Sequence, residues 1–250
     1  MKITGTYQLA RFIERPNRFL AKVQLDSLKN VTEAHVPDPG RLKELLIPRA
    51  EVVVQKHSNP ARKTSFSLVG VKTGGIWVNI NSVLTNRLFQ EEYQLIPMFK
   101  HYQIIRSEYP IGNSRFDFLM QDLETNQEAL VEVKSVTLVE NGTALFPDAP
   151  TLRGTKHVTE LRECLTKGYQ AYVVFIIKRS DAIRFAPNKK MDPKFADALS
   201  KAVINGVKIC AVKCDYDPVN KKELTIREEI PIELKKGDNR KIFHLQDLQL

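Results

Sequence analysis

The sequence predicts a mixed α and β protein with two domains, a small β-barrel over residues 1–84 and an α/β domain over residues 85–250. Three observations predict it. The first third of the chain consists of short strand-like runs separated by turn residues, which is typical of small barrels. From residue 86 onwards, apolar residues at helical spacing alternate with strand-like runs, as expected for a mixed sheet flanked by helices. The content of 42% hydrophobic residues with only 11 Gly and 13 Pro excludes a disordered or fibrous chain.

The first domain contains six strand-like segments. Between the third and the fourth, Leu42, Leu45 and Leu46 recur at helical spacing and predict one short helix. A helix in that position is typical of an OB-like barrel. The six segments are TYQLARFIE, RFLAKVQL, VTEAHV, EVVVQKH, KTSFSLVGV and IWVNINSV.

The second domain predicts the order helix, three strands, helix, strand. The first helix covers NRLFQEEYQLIPMF and is expected to be irregular near Pro97. The second helix, TKHVTELRECLTK, would begin at Thr155 as its N-cap. The charged segment from Asp217 is left unassigned. The strands are HYQIIRSEYP, SRFDFLMQ, EALVEVKSVTLV and AYVVFII, followed by a helix at PKFADALSKAVINGV and a strand at KICAVKC.

Most of the positive charge belongs to the first domain. The chain carries a net charge of +9, and residues 1–85 hold 13 basic and 6 acidic side chains against 25 and 23 in the remainder. Such asymmetry indicates an anionic partner such as nucleic acid, although solubility alone is an alternative explanation. Arg18, Arg41 and Lys43 are the candidate contacts, and the last two would lie at the N-terminus of the predicted helix, where N–H groups attract anions. An ordinary solvated first turn is equally compatible with these two residues.

Composition also excludes several classes of protein. The longest apolar run, near Val173 to Ile177, is far shorter than the roughly 20 residues of a membrane helix. The N-terminal segment lacks the apolar core of a secretory signal, so we expect a cytoplasmic protein. The three cysteines form no spaced framework and are expected to be reduced thiols.

A cluster of carboxylates is predicted on two neighbouring strands. Glu132 and Lys134 are two residues apart and therefore share one face of a strand. A hairpin centred on the connecting loop would place Asp117 opposite Glu132, and Arg115 opposite Lys134. Like charges in opposite positions destabilise a sheet, and a bound cation would remove that repulsion.

This arrangement predicts metal-dependent hydrolysis of a phosphodiester bond. Mg²⁺ or Mn²⁺ held by Asp117, Glu132 and an upstream acid, Glu91 or Glu92, would activate water and neutralise charge on the phosphate. Lys134 would orient the water or stabilise the transition state. The pattern D-(x14)-E-x-K with an upstream acid is that of the PD-(D/E)xK nucleases. The alternative is a cross-strand salt bridge without a metal.

Basic residues surround the start of the second helix of this domain. Arg153, Lys156 and His157 could hold a phosphate beside the carboxylates. Cations at a helix N-terminus oppose the helix dipole, which favours a functional explanation over a structural one. His157 could also act as a general base, or be a phosphate or structural contact, and Asp148 could serve the site or only form a turn.

Eight segments of the chain together resemble the sugar fermentation stimulation protein family, from about residue 12 to beyond residue 210. The resemblance implies an N-terminal OB-like domain, a C-terminal restriction-endonuclease-like domain and sequence-tolerant DNA binding. It also implies a role in the expression of sugar-fermentation genes. The family's acidic residues fall on Glu91, Asp117 and Glu132, and its lysine on Lys134, while the tail KKGDNRKIFHLQDLQL has no part in the pattern. The segments are FIERPNRF, AHVPDPGRLKELL, RKTSFSLVGV, WVNINS, NRLFQEE, SRFDFLM, VEVKSVTL and FPDAPTLRGTKHVTEL.

Two classes of function follow from the residues and the resemblance. The first is a metal-dependent nuclease that acts on DNA. The second is a non-catalytic DNA-binding regulator that uses the nuclease fold as a scaffold. RNA binding is a third alternative, with stacking on exposed aromatic rings, and a homo-oligomer is left open. The aromatic candidates are Phe12, Phe19, Phe66 and Trp77.

Overall fold

A computed structural model of the chain describes residues 1–27, 29–112, 114–236 and 239–243. Strands and helices in this part of the chain form three sheets. No helix within it is long and apolar enough to span a lipid bilayer. The three cysteines are buried and unpaired, as expected for reduced thiols.

The N-terminal sheet closes on itself. Its strands lie in the order β3-β2-β1-β4-β5-β6, and β3 also pairs in parallel with β5, so that five strands form a closed ring. This arrangement confirms the six predicted strands. Inside the ring, alternate residues of each strand form an apolar core. The strands are β1 (Thr6–Asn17), β2 (Leu20–Leu25), β3 (Val31–His35), β4 (Glu51–Lys56), β5 (Phe66–Thr73) and β6 (Ile76–Asn79).

The prediction of a helix between β3 and β4 is wrong, because this segment consists of turns. Leu42 and Arg49 have φ angles of 51° and 69°, and the left-handed conformation interrupts a helix at both ends of the segment. Leu42, Leu45 and Leu46 are nevertheless buried in the core of the ring. The spacing of these leucines therefore predicted their burial correctly but not their backbone conformation.

The remainder of the chain forms a six-stranded sheet with strand order β15-β14-β12-β9-β8-β7 and a smaller sheet with order β10-β11-β13-β16-β17. Strand β12 runs parallel to both β9 and β14. The helices are α1 (Leu84–Glu92), α2 (Leu152–Leu165) and α3 (Pro193–Ile204). The strands are β7 (Tyr102–Ile111), β8 (Ser114–Asp122), β9 (Glu128–Val136), β10 (Val139–Glu140), β11 (Thr143–Phe146), β12 (Gln170–Ile177), β13 (Arg184–Pro187), β14 (Lys208–Asp217), β15 (Glu223–Glu229), β16 (Ile232–Lys236) and β17 (Asn239–Phe243).

The predicted helix, three strands, helix and strand correspond to α1, β7, β8, β9, α2 and β12, with the short strands β10 and β11 inserted between β9 and α2. After α1 the chain continues as two short 3₁₀ turns around Pro97, the irregularity expected there. The N-cap of α2 is Thr151 rather than Thr155, since the Thr151 hydroxyl accepts the N–H of Gly154 at 3.0 Å. Strands β10, β11, β13 and β15 to β17 were not predicted, and most are short or charged. The C-terminal extension reaches into β16 and β17, but residues 237–238 and 244–250 lie outside the described part of the chain.

Both faces of the six-stranded sheet are covered. Val173 and Phe175 of β12 pack against α2 and α3, while their neighbour Val174 packs on the opposite face against α1. The apolar run of β12 is therefore unbroken because the strand is buried on both sides. The second face also receives Val53 and Val69 from the N-terminal ring, so the two parts of the chain share one core.

The two parts of the chain pack closely at Gly70 of β5. A Cβ atom at this position would lie 2.7 Å from the Tyr216 ring on β14 and 2.8 Å from a methyl group of Val53. We therefore expect Gly70→Ala to lower the free energy of unfolding by about 1–3 kcal/mol through overpacking. Thermal or urea unfolding measures the change. Lys72→Ala, on the exposed part of the same strand, is the control and should change stability by less than about 1 kcal/mol; equal effects would contradict the packing argument.

Candidate functional site

A carboxylate is buried in the middle of the six-stranded sheet. Glu132 lies on β9, which has a strand on each side, and only 3% of its surface is exposed. Its flanking residues Val131 and Val133 point to the opposite face and join the core there. A buried charge must be compensated by partners, so the contacts of Glu132 determine what this region can do.

The hairpin of β8 and β9 has the predicted register. Phe118 pairs with Val131 and Gln121 with Glu128, which places Asp117 and Glu132 next in line. The backbone pairing of the two strands ends at Phe118. The side chain of Asp117 instead accepts a hydrogen bond from the N–H of Val133 at 2.7 Å. The two strands thus separate at the acidic residues.

The other cross-strand pair predicted for this hairpin, Arg115 with Lys134, does not form. Arg115 lies beyond the end of the ladder, where its Nε is 2.6 Å from a carboxylate oxygen of Glu108 on β7. Lys134 pairs with Glu132 on its own strand. The separation of β8 from β9 is the reason, because it removes Arg115 from the ladder before the level of Lys134.

Asp117 is held by two hydrogen bonds. Besides the N–H of Val133, its second oxygen accepts the side-chain amide of Asn86 in α1 at 2.7 Å. Burial and the nearby charge of Glu132 raise the pKa of Asp117 to about 6. Each oxygen accepts one hydrogen bond and so retains a lone pair for another partner.

The two oxygens of Glu132 have different surroundings. Oε1 is 2.5 Å from Nζ of Lys134 and 2.6 Å from Nδ1 of His157. Burial alone would raise the pKa of Glu132, but the charge of Lys134 and the hydrogen bond from His157 lower it below its usual value. Oε2 is also buried and has no hydrogen-bond partner among the described residues.

His157 links Glu132 to Arg153. The two basic residues are four apart on α2 and share a face, with the Arg153 Nε–H donating to Nε2 of His157 at 3.4 Å. Because Nε2 accepts, Nδ1 carries the proton that His157 donates to Glu132. Arg153, His157, Glu132 and Lys134 therefore form one connected chain of polar contacts.

The upstream acids lie elsewhere. Glu91 pairs with Arg87 at 2.7 Å on the exposed side of α1, and both oxygens of Glu92 contact backbone groups, the amino group of Met1 and the N–H of Ile226. Asn86 is the α1 residue that reaches Asp117. The structure thus does not bring Glu91 to the two carboxylates, and its role as a metal ligand stays a prediction.

The donor set of this cluster suits a divalent cation in part. In the described part of the chain there is no group of three or more His, Cys, Asp or Glu side chains with the geometry of a metal site. Asp117 and Glu132 supply two carboxylates, and the unpartnered Oε2 of Glu132 is an available oxygen ligand. Mg²⁺ is commonly held by one or two carboxylates together with water and substrate phosphate, so the residues fit such an ion.

The predicted cations of the first domain lie together in a cleft between the two parts of the chain. The cleft has a volume of about 630 Å³, and Arg18, Arg41 and Lys43 line one side of it. Asp148 and Thr151 line the other side. Lys156 lies further along α2, with its Nζ 3.7 Å from a carboxylate oxygen of Glu160.

Arg15 organises the cationic side of the cleft, a role that sequence reasoning did not predict. Its guanidinium donates to the carbonyls of Arg18, Asp38, Gly40 and Arg41 at 2.6 to 3.1 Å. The loops that carry Arg18 and Arg41 are thereby joined. An arginine on an ordinary strand pattern carries no signal for such contacts, which depend on loops that meet only in the folded chain.

Asp148 joins the two sides of the cleft. Its carboxylate accepts the N–H of Arg41 at 2.7 Å. The intervening Gly40 leaves room for this contact, because a Cβ there would lie 2.4 Å from an oxygen of Asp148 and 2.8 Å from an oxygen of Asp38. Asp148 therefore makes a structural contact at the cleft, and a role in the site stays a prediction.

Two family models match the chain. One, the SfsA N-terminal OB domain, matches residues 13–80, and the other, the Sugar fermentation stimulation protein RE domain, matches residues 81–220. A sugar fermentation stimulation protein homolog of Clostridium beijerinckii is 45% identical over 212 residues, covering 84% of this chain and 92% of the relative. One from Clostridium tetani is 42% identical over 234 residues, covering 93% and 99%.

A solved structure has the same overall arrangement. The structure of Pyrococcus furiosus SfsA in complex with Ca²⁺ matches with a TM-score of 0.82 and 31% sequence identity. The match covers 93% of this chain and 99% of that chain. The fold is thus a mixed α and β arrangement with an N-terminal OB domain.

The burial of Asp117, together with the nearby charge of Glu132, should destabilise the folded protein as the pH rises from about 4 to about 6. The raised pKa of Asp117 means that its ionisation opposes folding, and this cost is absent below the unfolded value near 4 and complete above about 6. Asp117→Asn should therefore raise the free energy of unfolding at pH 7 by on the order of 2 kcal/mol without divalent ions, and the gain should vanish near pH 4.

Thermal unfolding between pH 4 and pH 8 in a chelating buffer measures this effect. The control is Asp197→Asn, which removes an exposed carboxylate 3.8 Å from Lys189 and should leave stability nearly unchanged. A lower melting temperature for Asp117→Asn at pH 7 would show that the hydrogen bonds of Asp117 outweigh the cost of burying its charge beside Glu132.

Proposed function

The chain belongs to the sugar fermentation stimulation protein family, and from this premise we propose that it binds DNA and hydrolyses phosphodiester bonds with a divalent metal ion. One observation carries the proposal. Asp117 and Glu132 meet where β8 and β9 separate, with Lys134 beside them and one carboxylate oxygen left without a partner. A purely structural ion pair would not require the second, energetically unfavourable carboxylate.

The proposed nuclease part is residues 85–250, and the proposed DNA-binding part is residues 1–84. The order α1, β7, β8, β9, α2, β12 supports a PD-(D/E)xK domain, since the acid, the second acid and the lysine stand on β8 and β9 as that motif requires. The concentration of positive charge in the first part supports contact with a polyanion.

Mg²⁺ or Mn²⁺ is the proposed cofactor, and Asp117 and Glu132 are the residues that would hold it. The related Pyrococcus furiosus protein was solved in complex with Ca²⁺, another hard cation that prefers oxygen ligands. A divalent ion at this position supplies a lowered pKa for bound water and neutralises charge on a phosphate. Glu91 remains a further candidate ligand if α1 or its own ion pair rearranges.

The neighbouring side chains have separate tasks in this proposal. Lys134 and His157 hold Oε1 of Glu132 from two sides, which directs Oε2 away from them. The Lys134 ammonium group also supplies a positive charge near the position of the scissile phosphate. Arg153 orients His157 and offers its remaining N–H groups to a phosphate oxygen.

A non-catalytic DNA-binding regulator is the second candidate function. The observation that favours it is the ion pair of Lys134 with Glu132, together with the placement of Glu91 away from the two carboxylates. In that state Lys134 already compensates the charge that a cation would otherwise balance. DNA binding would then be independent of divalent ions, and the nuclease fold would serve as a scaffold.

Glu132→Gln tests the catalytic proposal. We expect the wild-type chain to nick supercoiled plasmid in Mg²⁺ or Mn²⁺, and Glu132→Gln to reduce the rate at least about 100-fold. Partners one step removed from a metal already cost about 10- to 100-fold, and Glu132 would be a direct ligand. In a chelating buffer, the DNA affinity of Glu132→Gln should stay within about twofold of the wild-type affinity, because the Glu132 carboxylate would contact the metal rather than the DNA.

Glu91→Gln is the matched variant on α1. An unchanged rate places Glu91 outside the reacting groups, and a loss equal to that of Glu132→Gln makes it a ligand. If the wild-type chain and Glu132→Gln nick DNA equally, or neither nicks any DNA while both bind it, the regulator is the function.

The salt dependence of binding tests the role of the cleft. Each phosphate contact contributes about 0.9 to the slope of log affinity against log salt concentration for duplex DNA. Arg41→Ala should reduce the slope by about one such contact, since the Arg41 side chain lines the cleft. Arg227→Ala is the control, because Arg227 is paired with Asp215 at 2.7 Å on the edge strand β15. Equal slopes for all three proteins would remove the cleft from the DNA-binding surface.

A further inference from the structure

We propose that the cleft and the tip of the β1–β2 hairpin bind a single strand of nucleic acid, with the ring of Phe19 stacked on an unpaired base. The proposal deepens the DNA binding put forward above and rests on it. It names the strand state of the substrate, which neither the family nor the carboxylate cluster determines.

Phe19 is presented to solvent on a rigid backbone. It lies at the hairpin tip and is 55% exposed, although a phenylalanine normally gains stability by burial. Its N–H donates to the side chain of Asn17 at 2.9 Å, and its carbonyl accepts the N–H of Val36 at 2.9 Å. The ring of His35 also contacts that carbonyl at 3.1 Å. The backbone is thus fixed from three sides while the ring remains uncovered.

The hairpin tip adjoins the cationic cleft. Asn17 and Arg18, the two residues before Phe19, both line it together with Arg41 and Lys43. The volume of about 630 Å³ is that of a pocket for a small molecule and leaves room for a short stretch of one strand. Cations along a groove combined with an exposed aromatic ring on an adjoining turn are typical of proteins that bind single strands.

The other aromatic candidates are not available for stacking. Phe12 and Phe66 belong to the core of the ring of strands, with 3% and 8% exposure. Trp77 packs partly against the shared core, and Nζ of Lys72 lies 5.6 Å from its ring centroid. Phe19 is thus the one member of the predicted aromatic set whose ring is open to a base.

The cleft leads towards the carboxylate cluster. Thr151 lines the cleft and caps α2, the helix that carries Arg153 and His157. Ser135, another lining residue, directly follows Lys134 on β9. A strand that is stacked on Phe19 and held by the cations would therefore extend in the direction of the proposed reacting groups.

Stacking requires an unpaired base, because the faces of paired bases are covered by their neighbours in the duplex. Every base has such a face, so this contact tolerates any sequence. Binding by Phe19 therefore predicts a preference for single strands over duplexes of equal length, without a sequence preference.

The test compares affinities of the full chain for a labelled oligothymidylate and for a duplex of equal length, by fluorescence anisotropy in a chelating buffer. Phe19→Ala should weaken single-strand binding about 5- to 100-fold and duplex binding by less than about twofold. Phe19→Leu keeps an apolar side chain but not a ring and should also lose affinity, whereas Phe19→Trp should restore it. Ile204→Ala, an equally exposed apolar residue on α3, is the control and should bind like the wild type.

Direct contact has its own readout. In a Trp77→Phe background, the fluorescence of the Phe19→Trp variant should be quenched when the oligonucleotide binds. An RNA oligonucleotide distinguishes the two sources of single strands, and equal affinities would make the site indifferent to the sugar.

The outcomes separate this inference from the function on which it rests. If the wild-type chain binds no nucleic acid at low salt, DNA binding itself fails. If it binds duplex DNA with a steep salt dependence while Phe19→Ala leaves single-strand affinity unchanged, only the stacking site fails. Restoration of affinity by Phe19→Leu would show an apolar contact rather than stacking and would also overturn the inference.

Discussion

The buried charge of Glu132 is the constraint on which the arrangement of the second domain depends. A carboxylate in the middle of a six-stranded sheet is costly unless hydrogen bonds and an opposite charge compensate it. Lys134 supplies the charge from the same strand, and His157 supplies a hydrogen bond from α2. Because His157 must reach Glu132, the first turns of α2 must lie over β9. This requirement accounts for the basic residues near the helix start, where the dipole alone would disfavour them.

The second carboxylate, that of Asp117, lies beside this compensated charge and makes the cluster a candidate functional site. Asp117 lies where β8 leaves β9, and its side chain takes over the N–H of Val133. A strand end normally leaves such a group to water or to the next ladder pair. Here the hydrogen bond from Val133 holds Asp117 in a buried position beside Glu132. Burial and the charge of Glu132 raise the pKa of Asp117, so its ionisation lowers the stability of the folded protein. Destabilising groups of this kind are concentrated at functional sites, which have geometry that stability alone would not select.

The sequence predicted contacts that follow from strand periodicity and failed where tertiary contacts decide the geometry. The hairpin register could be predicted because side chains alternate strictly and the loop is symmetric. The segment after β3 has leucines at helical spacing but forms no helix. Two of its residues have positive φ angles, a conformation that comes from tertiary packing and that local propensity does not predict. The family motif favours Glu91 over Glu92 as the upstream acid, yet the helix turns Asn86 towards Asp117. A motif specifies only a spacing along the chain. Which face of the helix points to the site depends on how the helix packs against the sheet.

Polar contacts join the two parts of the chain on either side of the cleft. Lys178, at the end of β12, is fully buried and donates to the carbonyl of Asn81 at 2.6 Å, where the two parts of the chain meet. Burial lowers its pKa to about 8, and the nearby charge of Asp38 opposes that shift. Asp148 joins the opposite wall to Arg41. Opening the cleft would break both of these hydrogen bonds. Under the proposed function, a strand bound in the cleft would be positioned by the contacts that join the two parts of the chain, so recognition and chemistry would depend on the same packing.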